Sequence, residues 1–262
     1  MLTNIEQIAP QGAIFDTHCH YDDSAFDADR SCLFDTLAEY GVAGGIICGC
    51  DLISSKNCIS LAENNKGWYA AAGFHPENLP QTVKDINGIV PLLQNKNVVA
   101  VGEIGLDYHW DAFPRDFQKQ CFEEQLIIAN GLNMPVIVHD RDAHGDTLDI
   151  LKKHKPKGVL HCFSGSCETA KEVTDLGMYI GVGGSVTFKN SRRCREVAAS
   201  VPLDRILLET DAPYMTPEPY RGRQNHSGMI IYVAEQIAKI KETDTHTVLK
   251  VCFENAKALF GI

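Results

Sequence analysis

An alternation constrains this chain more than any other feature. Eight short apolar runs, AIFDTH, GGIICGC, WYAAAGFH, VVAVGEIG, PVIVHDR, GVLHCF, YIGVGG and ILLETD, recur along 262 residues between longer amphipathic stretches. The runs lack polar alternation and are bounded by Gly, Pro or polar turns, the pattern of parallel strands buried on both faces. The stretches between them read as helices at 27–41, 54–65, 81–95, 115–131, 146–154, 167–177 and 191–200, with two more at 228–242 and 245–261. Within 115–131, Phe117, Cys121, Phe122, Leu126 and Ile127 fall at three- and four-residue steps, giving one apolar face that packs on a sheet. Eight repeats of strand then helix in about 250 residues predict an α/β fold, a (β/α)8 TIM barrel. An open doubly wound sheet is the alternative. No internal repeat, linker or low-complexity segment breaks the pattern, so residues 1–262 are expected to form a single domain.

The charge balance narrows the partners. A formal net charge of -10 provides no global basic field for nucleic acid or anionic lipid, so a phosphate ligand needs positive charge supplied locally. The opening MLTNIEQIAPQGAIFD has no basic start leading into a long apolar run, and no apolar stretch approaches the roughly 18 residues that span a bilayer. A cytoplasmic protein without membrane contact is expected. Nothing in the sequence decides the oligomeric state, and a monomer is the expectation. Ten cysteines are scattered, many inside apolar runs, and are expected as reduced thiols. Cys48 and Cys50 form a CxC pair, and without any CxxC a structural zinc knuckle is not expected.

Polar residues end the apolar runs. His18 and His20 close the first, His75 the third, Glu103 the fourth, His139 the fifth, His161 the sixth and Asp211 the eighth. In a barrel these ends converge on one face, where active sites are built. His18 and His20 are two apart, so in a strand both imidazoles project to one side. Imidazole nitrogen and carboxylate oxygen are ligands of catalytic divalent metals, in sites that keep open positions for water and substrate. A lone histidine in an apolar strand usually just packs, but six polar groups at strand ends are costly without a shared partner. Four histidines and two carboxylates exceed what one tetrahedral ion needs, which favours two ions sharing a bridging ligand. Glu103 is the natural bridge.

Further candidates have bland readings beside the functional ones. His75 either packs or contacts phosphate. His109 could rim the cavity, while His144, His154 and His246 lie in or beside helical stretches and are expected to be solvated. Arg141, Arg221 and Arg223 could hold phosphate oxygens or tie loops to carboxylates such as Glu218. The irregular stretch PYMTPEPYRGRQNHSG is too long for a passive connection and follows the eighth strand, where barrels keep functional loops.

FDTHCH, AAGFHP, AVGEIGLDY, PVIVHDRDA, GVLHCFSGS and LLETDAPY followed by YRGRQN resemble, in order, the motif series of the TatD family of metal-dependent deoxyribonucleases, from about residue 14 to the end. The resemblance implies a TIM barrel, a divalent metal centre and hydrolysis of DNA phosphodiesters, usually as a 3′ to 5′ exonuclease on single strands. Its metal ligands fall on His18, His20, Glu103, His139, His161 and Asp211, and His75 matches the GxHP histidine near the site. Two departures stand out: Asp140, where a small residue often follows the histidine, and Asn225 to Ser227, where NEP is common. The resemblance implies that both lie near the substrate.

The expected mechanism is attack by a water activated by divalent metal, with two ions, Zn, Mn or less comfortably Mg. Asp211 would take the proton and Glu103 would hold the ions together, while His75, Arg141 and Arg221 would contact single-stranded DNA or DNA ends. The alternative is a metallohydrolase of the same fold acting on an amide, ester or aminoacyl bond. A third reading, from another class, is a binding module whose metal only braces the barrel.

Overall fold

The computed structural model describes residues 13–262. The opening MLTNIEQIAPQG, on which the expectation of no leader rests, lies outside the described residues. The apolar runs form β1 (Ile14–Cys19), β2 (Val42–Cys48), β3 (Trp68–Ala72), β4 (Val98–Asp107), β5 (Val136–Arg141), β6 (Gly158–Leu160), β7 (Tyr179–Val182) and β8 (Ile206–Leu208). They pair in sequence order, every neighbouring pair parallel. An open doubly wound sheet would reverse its strand order, and this one does not. The seam between β1 and β8 is held by a parallel bridge from Cys19 to Ala212 and by the Thr17 hydroxyl, which donates to the Leu208 carbonyl at 3.0 Å. The sheet is a nearly closed barrel.

Around it lie α1 (Leu33–Glu39), α2 (Leu52–Asn64), α3 (Arg115–Leu132), α4 (His144–His154), α5 (Cys167–Asp175), α6 (Arg192–Ser200), α7 (Ile230–Lys241) and α8 (Thr245–Phe260). Their starts follow capping chemistry. Asp51 accepts from the Ile53 and Ser54 amides, Ser166 from Thr169, and Asp244 from Thr247, each satisfying donors that the first turn leaves free. The helix expected over 81–95 is instead two 3-10 segments, Val83–Ile89 and Leu92–Gln94. Gly88 weakens an α-helix there and Pro91 lacks the N–H its next turn requires.

Two apolar layers hold the barrel. Inside, Phe15, Ile46, Ala71, Ala100, Ile137, Val159 and Leu207 cluster, about one residue per strand, joined by Ala256 and Phe260 of α8. Outside, Ile47, Val101, Ile104, Val138 and Ile206 pack with helix residues such as Phe122 and Leu126. All ten cysteines are free thiols. Among the described residues no helix is long and apolar enough to cross a membrane.

Candidate metal centre

The interior positions that fill the barrel lead, one or two steps further along each strand, to the polar set. In β5 and β6 the alternation runs unbroken from Ile137 to His139 and from Val159 to His161. In β1 and β4 it does not: pairing shifts register between Asp16 and Cys19 and between Val101 and Ile104. These irregularities switch the inward position from Phe15 to His18 and from Ala100 to Glu103, the way bulges re-aim side chains beside active sites. Gly105 (φ +147°) completes the approach of β4 to β5, since a Cβ there would meet the His139 carbonyl oxygen at 2.0 Å. Asp211 sits beyond β8 in the left-handed region (φ +59°), its amide donating to the His18 carbonyl at 2.9 Å.

The donor atoms form two groups that share Glu103. On one side, His18 Nε2 and His20 Nε2 lie 3.0 Å apart, 3.3 and 3.4 Å from Glu103 Oε2, and 3.6 and 3.5 Å from Asp211 Oδ1. On the other, His139 Nδ1 and His161 Nε2 lie 2.9 and 2.7 Å from Glu103 Oε1 and 3.3 Å from each other. His75 Nε2 stands 3.5 Å from the same oxygen. Metal–ligand bonds of about 2.0–2.1 Å in tetrahedral geometry place ligand atoms roughly 3.3 Å apart, so these separations fit divalent ions. The chemistry fits as well. Two Nε2 atoms facing each other among carboxylate oxygens have at most one proton each to share, and a cation satisfies all the lone pairs together.

Neighbours fix the ring orientations. His139 presents Nδ1 inward because Nε2 is held 3.0 Å from Asp107 Oδ2, and His20 Nδ1 lies 3.0 Å from the Cys48 carbonyl. Such carboxylate–histidine and carbonyl–histidine contacts set tautomer and basicity at metal sites. Burial would raise the Glu103 pKa, but the surrounding His161, His18 and His75 hold it well below the usual carboxylate range. Burial would likewise raise Asp211, yet its contacts with His20 and His18 keep it low, so both carboxyls are anions at neutral pH. Burial brings His18 down to about 4 and His75 to about 3. For His139 burial is outweighed by the hydrogen bonds to Asp107 and Glu103, which lift it to about 10.

The model of the family described as "TatD related DNase" matches residues 15–261. The chain belongs to the TatD family. It is 40% identical to the uncharacterized metal-dependent hydrolase YabD of Bacillus subtilis, covering 95% of this chain and 99% of that one. It is 32% identical to the 3′-5′ ssDNA/RNA exonuclease TatD of Pantoea ananatis, over 95% of this chain and 100% of the relative. Among solved structures, the Escherichia coli TatD homologue YjjV superposes with a TM-score of 0.86 at 32% identity, covering 95% and 98% of the two chains. This chain is therefore a TatD-family metal-dependent hydrolase.

At the strand ends of this TatD barrel the centre opens into a cavity of about 740 Å³, within the range of small-ligand sites. His75 and Arg141 line it. Arg221 does not: its guanidinium lies 3.9 Å from the Phe188 ring centroid, and Arg223 sits over Tyr220, so both pack on aromatic rings instead of facing the centre. Of the two departures, Asp140 lines the cavity. Asn225, His226 and Ser227 do not, and are buried behind the seam. There Asn225 donates to the Thr210 and Tyr214 carbonyls and Ser227 donates to Asp16, so these residues brace the β1–β8 junction. Two helical histidines are less free than expected: His144 bonds Asp140 at 2.6 Å, and the His154 side chain is only 12% exposed.

Three carboxyls escaped the sequence reading. Asp107 stands on the face of β4 that carries Glu103, two steps of two residues away, a signal that was present. Asp16 accepts from Thr210 and Ser227, and burial raises it to about 6. Glu209 is buried with Gly181 beside it, accepts from the Cys162 amide, and is raised by burial to about 8. Both read in sequence as polar interruptions of apolar runs.

Proposed function

We propose that this TatD-family hydrolase is a deoxyribonuclease that removes nucleotides from the 3′ ends of single-stranded DNA, using two divalent ions that His18, His20, His139, His161 and Asp211 would hold together with Glu103. The observation that supports it is the division of the Glu103 carboxylate, Oε2 toward His18 and His20, Oε1 toward His139 and His161, at the floor of an open cavity. The name of the Pantoea relative, an exonuclease on single-stranded DNA and RNA, points the same way. A nitrogen-rich set with two carboxylates suits Zn or Mn better than Mg.

Divalent ions held here would acidify a water and offset charge on the phosphoryl oxygens. The rest falls to the chain. Asp211, an anion whose side chain is 21% exposed at the cavity wall, is placed to accept the proton of the attacking water. His75, brought down to about 3 by burial, is neutral at pH 7 and can bond a phosphate oxygen through its ring N–H. Arg141, at the wall, supplies a fork for a second oxygen.

A second reading has its own support. Asp22, Asp23, Glu77 and Asp140 line the cavity against Arg141, an excess of carboxylates that suits an uncharged or cationic substrate with an amide, ester or aminoacyl bond. Incubating protein loaded with Zn, Mn or Mg with 3′-labelled single-stranded DNA decides between them. Release of labelled nucleotide, abolished by a chelator, is expected. No release under any of the three metals removes the nuclease reading.

A further inference from the structure

Beyond the metal centre, side-chain cations are too few at this mouth to hold a strand by its phosphates. Arg141 is the one Lys or Arg among the described lining residues, and it shares the wall with the carboxylates of Asp22, Asp23, Glu77 and Asp140. Away from the ions, affinity for nucleic acid then needs a source that is not ionic. Two side chains at the same cavity supply one. Trp110 and Tyr214 are among the few large apolar side chains left open, 59% and 56% exposed, and both line the cavity, whereas Trp68 is buried in the core. Open aromatic surface costs free energy unless something covers it.

The two rings approach the cavity from different elements, and both are held. The Trp110 amide donates to Asp107 Oδ1 at 3.0 Å, and Asp107 Oδ2 in turn contacts His139, so the loop that carries the indole is tied to the metal centre. Arg141 lies 5.4 Å from the Trp110 ring centroid, and His109 sets its edge against the indole. The Tyr214 amide donates to the Asp211 carbonyl, and its hydroxyl donates to Asp23 Oδ2 at 3.0 Å. One ring is therefore coupled to each end of the donor set, through Asp107 and through Asp211. Bases of single strands stack on such rings irrespective of sequence, because every base has a π-face.

We propose that Trp110 and Tyr214 form a stacking platform for unpaired bases next to the scissile end, and that this platform, more than ionic contact with side chains, holds the strand beyond the metal centre. The proposal deepens the nuclease reading and rests on it. It also accounts for strand preference: bases in duplex are already stacked and paired, and cannot cover the rings.

The test titrates metal-loaded protein with a six-nucleotide single strand whose phosphorothioate linkages resist cleavage, reading tryptophan fluorescence. With Trp68 buried, the exposed Trp110 reports the contact. Quenching by the strand is expected, and much weaker quenching by an abasic strand of the same length. In steady-state assays on the normal strand, Trp110→Ala and Tyr214→Ala should each raise KM by about tenfold or more, with a smaller effect on kcat, while Trp110→Phe recovers most of the loss. On the abasic strand the alanine variants should match the parent. Cleavage with unchanged KM in both alanine variants, or equal quenching by normal and abasic strands, overturns the platform and leaves the nuclease intact. Quenching that survives when no strand is cleaved keeps the platform and removes the nuclease.

Discussion

Glu103 Oε1 lies 2.7 Å from His161 Nε2, the shortest carboxylate–histidine separation at the centre. Its other oxygen serves His18 and His20, so a single side chain joins both halves of the donor set. Glu103→Gln keeps the volume but removes the charge and replaces one of the two oxygens by a donor. Metal content, measured by elemental analysis after dialysis, should fall to one ion or none per chain. Turnover should fall by more than the roughly 10–100-fold typical of residues one step removed from a metal. Full metal content in the variant would show that Glu103 does not bridge.

Asp107 acts through His139. Replacing it with Asn keeps an oxygen for the His109 and Trp110 amides, now taken by Oδ1, and puts an uncharged NH2 donor opposite Nε2 in place of the carboxylate acceptor. Metal affinity, measured by chelator competition, should drop about 10–100-fold, with little change in thermal midpoint. A lowered midpoint with unaltered affinity would instead make Asp107 a loop brace.

Asp107 also shows how far sequence carries here. Apolar runs ending in His or carboxylate picked out six side chains that the fold brings together, because burying a polar group at a strand end needs a partner and only convergence provides one. Period-two reasoning along β4 would have reached Asp107 from Glu103, but the same reasoning run from Ala100 points to the wrong face. The register shift between Val101 and Ile104 resets the count, and apolar patterning carries no mark of it. The stacking of Arg221 was not legible for a related reason: its loop follows β8, where functional loops lie, but the direction of a guanidinium depends on a ring, Phe188, some thirty residues away. The Asn225–Ser227 departure lay in the buried seam because its partners, Thr210 and Asp16, are joined only by barrel closure.

Proton and metal compete for the same nitrogens. The folded His139 pKa of about 10 lies above the ordinary histidine value of about 6.5, so the metal-free fold holds a proton there that the unfolded chain releases. The stabilisation this proton gives is complete below pH about 6.5 and is lost as pH rises toward 10. Metal-free protein should therefore show a thermal midpoint that declines from pH 6.5 to 8.5, while metal affinity, which requires the nitrogen free, rises up to tenfold per pH unit per proton displaced. Calorimetric titration in two buffers of different ionisation enthalpy counts the protons released. None released at pH 7 would contradict the protonated His139.

Arg141 is the cation at the cavity wall, and Arg221 is stacked on Phe188 outside it. Arg141→Ala should weaken strand binding and reduce the slope of log K against log salt by about one, the signature of one lost phosphate contact. Arg221→Ala should leave that slope as it is. Equal changes in both slopes would return Arg221 to the substrate path.

The centre depends on a glycine that touches no donor atom. A methyl group at Gly105 would stand 2.0 Å from the His139 carbonyl oxygen, on a backbone at φ +147° that side chains avoid. Gly105→Ala must push β5 away from β4 or twist the peptide, and either movement carries His139 Nδ1 off its 2.9 Å contact with Glu103. Overpacking of this kind costs about 1–3 kcal/mol, and the left-handed backbone roughly 1–2 kcal/mol more. The variant should unfold at lower denaturant concentration and, where it folds, bind metal more weakly than the parent. Gly145 provides the comparison, because nothing lies within 4 Å of the position a Cβ would take there. In α4, Gly145→Ala should hold or raise stability, since alanine is the better helix former. If Gly105→Ala kept both its unfolding midpoint and its metal, the spacing of β4 and β5 would not be what sets the distance between Glu103 and His139.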